Sequence, residues 1–580
     1  MAFPCSISSL STQNGIPKRK LITTQIHVSS TTAPHPHMSF AYKYNEAATI
    51  QSLNLVSEPS PDYMDDGLRI KHVEKCMETR FTFYQLEDPL ESMIMIDALQ
   101  RLGIDYHFEH DIKTLLDKHS GSLSLASSPF RDQNLHDVAL HFRLLRQAGY
   151  WIPTDVFRSF KDKKGHFKVE LSEDIRGMMS LYEASYLGLM EEEILNEAHD
   201  YASMHLNASL MNLQPQLATA VKDTLENPYH MSLAKFQSKR FLKSFHGTYG
   251  WMGLLQQLWK MDFNIVQSIH RHELLQVFEW WRKLGLSQEL KFARNQPLKW
   301  YMWPMMVLPD PKFSDVRIDM TKIISLVYVI DDIFDVRGTL DELVLFTEAI
   351  NRWEPTEIER LPNYMKICFR VLDEITSEIS DKVLREHGWN PINSLRKAWG
   401  SLCDAFLVEA KWFASKQQVP KAKEYLENGV VSSGVHVALL HGFFLLGEGI
   451  TKETVDCMEK SPGPALMSCP ATILRLWDDL GSAKNEKQDG HDGSYLECYL
   501  KEHKGYSTES ARANVFRLIS DAWKQLNEET LSWNSLAPSL TRVSLNSARM
   551  VSVMYGYDDN QRLPALEECI KSLLHESIPL

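Results

Sequence analysis

The stretch Ile323-Ile324-Ser325-Leu326-Val327-Tyr328-Val329-Ile330-Asp331-Asp332-Ile333-Phe334-Asp335 runs from an almost wholly apolar segment into three aspartates. The apolar segment predicts a helix over residues 323–334 that is buried on most of its faces. On such a helix Asp331 and Asp335 lie one turn apart on one face, where two like charges cost roughly 0.2–0.5 kcal/mol even in water. Because burial raises that cost unless a cation intervenes, the stretch predicts a metal site. The alternative is a solvated loop, or a cap for the next helix near Gly338.

A second set of oxygen-bearing side chains follows in residues 474–486. Asp478, Ser482 and Glu486 recur at every fourth position, so they share one face of a helix. Arg475 lies one turn earlier, where it could bind an anion that the metal also holds. Oxygen ligands favour a hard cation such as Mg²⁺, which usually shares substrate phosphates. The alternative is a solvated amphipathic face on which Glu486 lies beside lysines.

If the intervening helices return the second cluster opposite the first across a bundle core, the two clusters could hold metals and a diphosphate at the mouth of an apolar cavity. The substrates that fit this description are prenyl diphosphates, which combine an anionic head with an apolar tail.

The composition limits the partners of this chain. It has 580 residues, with 62 Lys and Arg against 75 Asp and Glu and a formal net charge of -13. A field of that sign repels phosphodiester backbones, so nucleic acid is not an expected partner. A small anionic substrate would need divalent cations or a local arginine cluster. The hydrophobic content of 44% excludes a mostly disordered protein.

Cysteine spacing and apolar runs give two further expectations. The eight cysteines are scattered, with no CxxC pair, which predicts reduced thiols. Residues 430–450 are the most apolar stretch after residue 400, but serine, glycine and histidine interrupt them. We therefore expect no membrane span.

From about residue 59 onward, apolar residues recur at three- and four-residue spacing, while strand-like alternation is scarce. The pattern predicts an all-α protein with at least two layers of helices and a domain boundary between about residues 251 and 267. His270 and His272 are expected on a polar helix surface. The predicted helices include residues 90–102, 135–145, 175–189, 274–284, 323–334 and 471–480.

The first 45 residues have a different composition from the rest. They contain twelve Ser or Thr residues, the basic run Lys18-Arg19-Lys20 and no Asp or Glu. This composition is typical of an organelle transit peptide, and the alternative is a terminus that stays attached. A plastid location is therefore expected, with the cytoplasm as the alternative.

The two acidic motifs together resemble those of plant class I terpene synthases. The first is Asp-Asp-x-x-Asp at residues 331–335, and the second is Asp-Asp-x-x-Ser-x-x-x-Glu at residues 478–486. Further similar stretches lie at residues 99–108, 142–147 and 181–185, and the resemblance covers about residues 60–580. It implies a helical, barrel-like N-terminal domain at residues 60–260 and a catalytic, metal-binding helical bundle at residues 265–580.

The resemblance also implies roles for individual residues. Arg475 matches the family's diphosphate-binding arginine, and Arg294 matches the first arginine of an upstream Arg-x-Arg element. The implied catalytic residues are Asp331, Asp335 and Arg475. The implied ligands of Mg²⁺, or of Mn²⁺, are Asp331, Asp332, Asp335, Asp478, Ser482 and Glu486, with Asp332 the weaker candidate. The implied substrate-binding residues are Arg294, Asp331, Asp335, Arg475, Asp478, Trp303 and Tyr555.

Aromatic side chains are expected to line the cavity, because aromatic faces attract a desolvated cation by roughly 2 kcal/mol or more. Trp303, Tyr555 and Tyr557 are candidates, whereas Trp300 and Tyr301 could equally be core residues. Gly434 is expected to break a long helix. Residues 488–493 form a Gly- and Asp-containing segment suited to act as a lid.

Two departures from the family pattern bear on the product. Arg294-Asn295-Gln296 supplies one guanidinium where the family usually has two, and an Arg-Arg pair followed by Trp is absent near the start of the mature protein. In the family, loss of that second element marks a subfamily that makes acyclic tertiary alcohols. The resemblance therefore implies a monomeric lyase that converts geranyl diphosphate to linalool and farnesyl diphosphate to nerolidol.

Other functions remain open from the sequence. A cyclising monoterpene or sesquiterpene synthase would differ only in the shape of its cavity. A chain-elongating prenyltransferase would be expected to have a second aspartate-rich repeat where Ser482 stands, and a class II cyclase would need an Asp-x-Asp-Asp acid. A non-catalytic helical metal-binding module is disfavoured because it would gain nothing from the repulsion among these acids.

Overall fold

The computed structural model describes residues 66–120, 134–244, 249–415, 420–460, 463–486, 494–531, 537–558 and 562–580, with the backbone alone for residues 482–486. The predicted transit peptide and the predicted lid at residues 488–493 lie outside these ranges. So do the side chains of Ser482 and Glu486.

Helices joined by short turns make up the described residues, in agreement with the predicted all-α class. Within these ranges the extended pairing is one isolated bridge between Lys161 and Phe167. The helices of the first half are α1 Asp66–Gln85, α2 Pro89–Leu102, α3 Glu109–Ser120, α4 Leu135–Gln147, α5 Ile175–Ser185, α6 Glu193–Ser209, α7 Pro215–Glu226, α8 Ala234–Ser244 and α9 Met252–Leu284. Short 3₁₀ turns lie at Asp105–His107, Thr154–Phe160, Val169–Glu173, Leu210–Asn212 and Tyr229–Met231.

The second half contains most of the longer helices. They are α10 Leu286–Glu289, α11 Pro297–Val307, α12 Ser314–Asp332, α13 Leu340–Arg352, α14 Pro355–Glu359, α15 Asn363–His387, α16 Ile392–Ala414, α17 Ala422–Ser432, α18 Val435–Leu446, α19 Lys452–Met458, α20 Ala465–Glu486, α21 Tyr495–Glu502, α22 Thr508–Leu531, α23 Pro538–Tyr555 and α24 Pro564–Ile570. A 3₁₀ turn lies at Pro311–Phe313, and π-helical turns lie at Ile333–Arg337 and Lys571–His575.

Helix α2 illustrates how local sequence sets the ends of a helix. The Asp88 side chain accepts a hydrogen bond from the Leu90 backbone N–H, and Pro89 occupies the first helical position, where no N–H is needed. Gly103 ends the helix at φ 65°, a left-handed conformation that favours glycine. The predicted helix at residues 90–102 is therefore confirmed. The run predicted for residues 175–189 is shorter than expected, because the helix ends at Ser185.

One apolar core runs through both halves of the chain. In the first half α5 packs between α4 and α6, and in the second half α12 and α20 both pack against α18. Helix α9 crosses residues 251–267, where the boundary was expected, and packs against both α1 and α12. The division into residues 60–260 and 265–580 remains a prediction.

A buried polar network lies below the site in the second half. The guanidinium of Arg317 donates to both carboxylate oxygens of Glu273, at 2.6 and 2.8 Å, and Tyr301 donates to Glu273 at 2.7 Å. His270 lies 3.0 Å from the Tyr301 hydroxyl and is buried, so its expected place on a polar surface was wrong. The partners of His270 are distant in sequence, which hid its burial.

One stretch of the described chain, Ala422–Leu446, has the length and the mean hydropathy of 1.7 that a membrane crossing needs. Of its most apolar window, 67% is buried inside the protein, and Gly434 divides it into α17 and α18. These features are those of core helices in a bundle.

Candidate active site

The first acidic motif lies where α12 changes its geometry. Asp331 and Asp332 occupy the last turn of α12, whereas Asp335 lies in the wider π-helical turn Ile333–Arg337. The Gly338 N–H closes that turn by donating to the Ile333 carbonyl at 2.8 Å. The predicted helix is confirmed, but the π turn replaces the regular spacing expected between Asp331 and Asp335. Such turns often mark functional sites.

Arg294 contacts the first two aspartates of the motif. Its backbone N–H donates to Asp332 Oδ2 at 2.6 Å, and its guanidinium donates to Asp331. Its Nε lies 2.8 Å from Asp332 Oδ1, and its charge lies 4.8 Å from the centre of the Tyr328 ring. Burial raises the pKa of Asp332 to about 6 although Arg294 opposes this shift. With both carboxylate oxygens facing Arg294, Asp332 is less available as a metal ligand than Asp331 or Asp335.

Asp335 lies at a concave position that solvent still reaches. The surrounding protein, Asp331 and Glu409 together raise its pKa well above the ordinary range. Across the site, burial raises the pKa of Asp478, and the charge of Asp331 adds to that shift. Three carboxylates from two separate motifs therefore repel one another in one region. A divalent cation would relieve this repulsion, so the donor set fits a hard metal ion.

Arg475 belongs to the opposite wall, on α20. Its guanidinium donates to Ser432 Oγ at 2.7 Å and lies 3.4 Å from Glu409 Oε1. Ser432 Oγ donates to the same Glu409 oxygen at 2.6 Å. The side chain of Arg475 crosses Gly429, where a Cβ would lie 3.0 Å from Arg475 Nε. That Nε is buried and has no hydrogen-bond partner among the described residues, which leaves one donor for an anion.

Asp479 has a structural environment, unlike its neighbour Asp478. Its carboxylate accepts from the Tyr425 hydroxyl at 3.0 Å and from the Tyr495 backbone N–H at 2.8 Å. Burial raises its pKa to about 7. These contacts join α20 to α17 and α21. The predicted ligands Ser482 and Glu486 follow on the same helix, whose backbone continues to Glu486.

Gly434 breaks the chain between α17 and α18, as expected. Its φ of 71° is left-handed, and a Cβ there would lie 2.6 Å from Val327 Cγ1 on α12. The break therefore brings backbone directly against the helix that carries the first motif. Ser432, the partner of Arg475, lies at the end of α17 just before this break.

Two of the three predicted wall aromatics form a pair. The rings of Trp303 and Tyr555 have centroids 6.3 Å apart, and both side chains make hydrogen bonds with Tyr328. Tyr557 packs on Gly481, where a Cβ would lie 2.4 Å from its ring. Trp300 and Tyr301 are fully buried and are core residues.

Sequence reasoning missed three residues that organise the site. Tyr328 lies within the deciding stretch, but its spacing gave no sign that it would hold two aromatics from other helices. Glu409 and Ser432 come from α16 and α17, whose sequences contain no acidic motif. The structure brings all three to the two motifs through tertiary packing alone.

Known proteins share this arrangement of domains. The N-terminal domain of the terpene synthase family matches residues 39–225, and the metal binding domain of the terpene synthase family matches residues 282–525. The chain belongs to the terpene synthase family. It is therefore a lyase that acts on a prenyl diphosphate.

Three relatives illustrate the similarity. A probable terpene synthase from Ricinus communis is 51% identical, over 95% of this chain and 96% of the relative. An (E)-nerolidol synthase from Cannabis sativa is 52% identical, over 84% and 89%. The chloroplastic S-(+)-linalool synthase from Arabidopsis thaliana is 42% identical, over 99% and 95%. The chain thus resembles the subfamily of linalool and nerolidol synthases.

A solved structure has the same two-domain, all-helical fold. It is isoprene synthase from grey poplar leaves, in complex with three Mg²⁺ ions and dimethylallyl-S-thiolodiphosphate. The TM-score is 0.82 at 34% identity, over 89% of this chain and 98% of the other. Together with the match to the metal binding domain, it supports a divalent metal cofactor for this chain.

Proposed function

We propose that this protein ionises geranyl diphosphate with the help of Mg²⁺ and adds water to the resulting cation to give linalool. Farnesyl diphosphate would give nerolidol by the same route. The observation that carries the proposal is the meeting of Asp331, Asp335 and Asp478 in one electrostatically coupled region, with Arg475 close to Asp335 through Glu409.

Asp331, Asp335 and Asp478 are the proposed metal ligands among the described side chains, with Ser482 and Glu486 completing the second set. Asp332 would act mainly through Arg294, to which both of its carboxylate oxygens turn. Mg²⁺ bound to these carboxylates would stabilise negative charge on the departing diphosphate.

The arginines and the aromatic side chains have complementary roles in this proposal. Arg475 offers an unpaired buried Nε to the diphosphate, and Arg294 would reach it once a metal takes over Asp331. Fixed donors of this kind stabilise charge that develops as the bond breaks. Trp303 and Tyr555, held through Tyr328, would present their rings to the allylic cation.

The relatives support an alcohol product and a plastid location. Two of them are named for the acyclic alcohols linalool and nerolidol, and the linalool synthase is named chloroplastic. The acid-poor terminus at residues 1–45 agrees with import into plastids, where geranyl diphosphate would be the substrate.

The test is to incubate the purified protein with Mg²⁺ and either geranyl or farnesyl diphosphate, and to separate the products by chiral gas chromatography. We expect linalool from the first substrate and nerolidol from the second. Incubation without protein controls for spontaneous hydrolysis of the allylic diphosphates. Cyclic hydrocarbons as the main products would contradict the proposal.

A further inference from the structure

A cluster of metal-binding side chains lies far from the acidic motifs, where the first half of the chain meets α9. His72 and Cys76 are one turn apart on α1, so they share a face of that helix. His107 lies in the 3₁₀ turn Asp105–His107, and Asp262 lies on α9. The ligand atoms of His72, Cys76 and His107 all lie within 4.8 Å of one another.

The distances are close to those around a four-coordinate ion. His72 Nε2 lies 4.0 Å from Cys76 Sγ and 3.6 Å from Asp262 Oδ1. His107 Nε2 lies 2.9 Å from the same Asp262 oxygen. In a tetrahedral site with bonds of about 2.0–2.3 Å, ligand atoms are separated by roughly 3.3–3.8 Å. Shifts of well under 1 Å would therefore bring the four ligands around one ion.

The cluster is enclosed rather than spread over the surface. The Asp262 side chain is 3% exposed, and that of His72 is 12% exposed. Tyr106 donates a hydrogen bond to Asp262 Oδ1, and Lys235 donates to Asp262 Oδ2 at 3.1 Å. These two donors fix the carboxylate in the way that outer contacts orient a metal ligand.

The charges also fit a divalent ion. Two neutral imidazoles, one thiolate and one carboxylate carry a total charge of -2, which a divalent ion neutralises. Mixed nitrogen, sulfur and oxygen ligands favour borderline ions such as Zn²⁺, whereas the oxygen ligands of the acidic motifs favour Mg²⁺. The two sites would therefore select different metals.

We propose that His72, Cys76, His107 and Asp262 form a structural site for Zn²⁺ or a similar borderline transition-metal ion. Cys76 binds as the thiolate and releases its proton to solvent. The ion joins α1 and the turn at residues 105–107 to α9, the helix that continues into the second half of the chain. Its role is to stabilise the junction between the two halves.

The test uses Co²⁺ as a spectroscopic substitute in the full, metal-stripped protein kept under a reductant that does not bind metal. We expect one thiolate-bound ion per chain, seen as a sulfur-to-cobalt charge-transfer band together with the visible bands of a tetrahedral ion. The carboxylates of the acidic motifs cannot give the charge-transfer band. Zn²⁺ added afterwards should remove these bands by displacing Co²⁺.

Variants make the assignment specific. Cys76→Ser should abolish the charge-transfer band and weaken Zn²⁺ binding by at least about tenfold, and His72→Gln should weaken it similarly. Cys457→Ser is the matched control, because Cys457 is also half-buried and lies outside the cluster. Absence of the band in the parent, or an unchanged band in Cys76→Ser, would overturn the proposal.

Thermal unfolding gives a second readout that does not depend on catalysis. Zn²⁺ should raise the Tm of the parent and of Cys457→Ser, since an ion that binds only the folded state stabilises it. The same Zn²⁺ should leave the Tm of Cys76→Ser unchanged. Without metal, parent and Cys76→Ser should unfold at similar temperatures, because Cys76 makes only a 4.0 Å contact with His72. An equal rise in Tm for Cys76→Ser would contradict the site.

Discussion

At the scale of single residues, Arg475 is the most informative position in the second wall. It is held by Ser432 and Glu409 while its Nε remains unpaired, so its placement is fixed before an anion arrives. We expect Arg475→Lys to lower kcat/KM for geranyl diphosphate by about 100-fold, because a lysine cannot keep both the Ser432 contact and the free donor. Steady-state kinetics of diphosphate release measure the loss.

The control for this variant is Arg352→Lys, an exposed arginine of the same half of the chain that pairs with Glu357. It should retain parental kinetics, and both variants should keep the parental circular dichroism spectrum. Parental kcat/KM in Arg475→Lys would show that the guanidinium has no part in the reaction.

At this scale the sequence predicts residues that lie in motifs and misses those that reach the site from elsewhere. Asp331, Asp335, Asp478 and Arg475 could be selected because helical spacing places them on common faces. Glu409 has no such spacing. Its contacts to Ser432 and Arg475 depend on how α16, α17 and α20 pack, which periodicity alone does not determine.

At the scale of elements, the break at Gly434 positions α18 against α12. Gly434→Ala should destabilise the protein by about 1–2 kcal/mol through left-handed strain and by a further 1–3 kcal/mol through overlap with Val327. Urea unfolding measures the change. Activity should also fall, because Val327 lies one turn before Asp331 on α12.

Gly388→Ala is the matched control, since Gly388 has a φ of 72° but nothing within 4 Å of its Cβ position. It should show the strain without the overlap and keep full activity. Val327→Ala in the Gly434→Ala background should recover part of the lost stability. Equal losses for the two glycine variants would contradict the close approach of α18 to α12.

The ends of elements show where prediction from sequence succeeds. Asp88, Pro89 and Gly103 set the bounds of α2 by local chemistry, so that helix could be predicted to within a residue. The π turn at Ile333–Arg337 has no such local signal. It depends on the packing around Ile333 and Phe334, both of which are buried in the assembled bundle.

At the scale of the whole molecule, buried histidines make stability depend on pH. His441 is fully buried, and burial lowers its pKa to about 4 from an ordinary value of 6.5. Between these values the unfolded chain binds a proton and the folded chain does not. Stability is therefore intact above pH 6.5 and falls as the pH is lowered towards 4, by at most about 3 kcal/mol for this group.

His441→Phe should reduce the loss of unfolding free energy between pH 7.5 and pH 4.5, as measured by urea unfolding at both values. His230, His270 and His436 also have lowered pKa values because of burial, so the parent should keep a slope in the variant. An identical loss in parent and variant would show that His441 does not carry this effect.

The most direct test of the account concerns the first acidic motif and its metal. Linalool formation from geranyl diphosphate should be measured across a range of Mg²⁺ concentrations for the parent, for Asp331→Ala, and for Asp341→Ala as an exposed control on the next helix. The account predicts Mg²⁺-dependent turnover in the parent and in Asp341→Ala, and its abolition in a folded Asp331→Ala. Full turnover by Asp331→Ala would contradict the metal site on which the account depends.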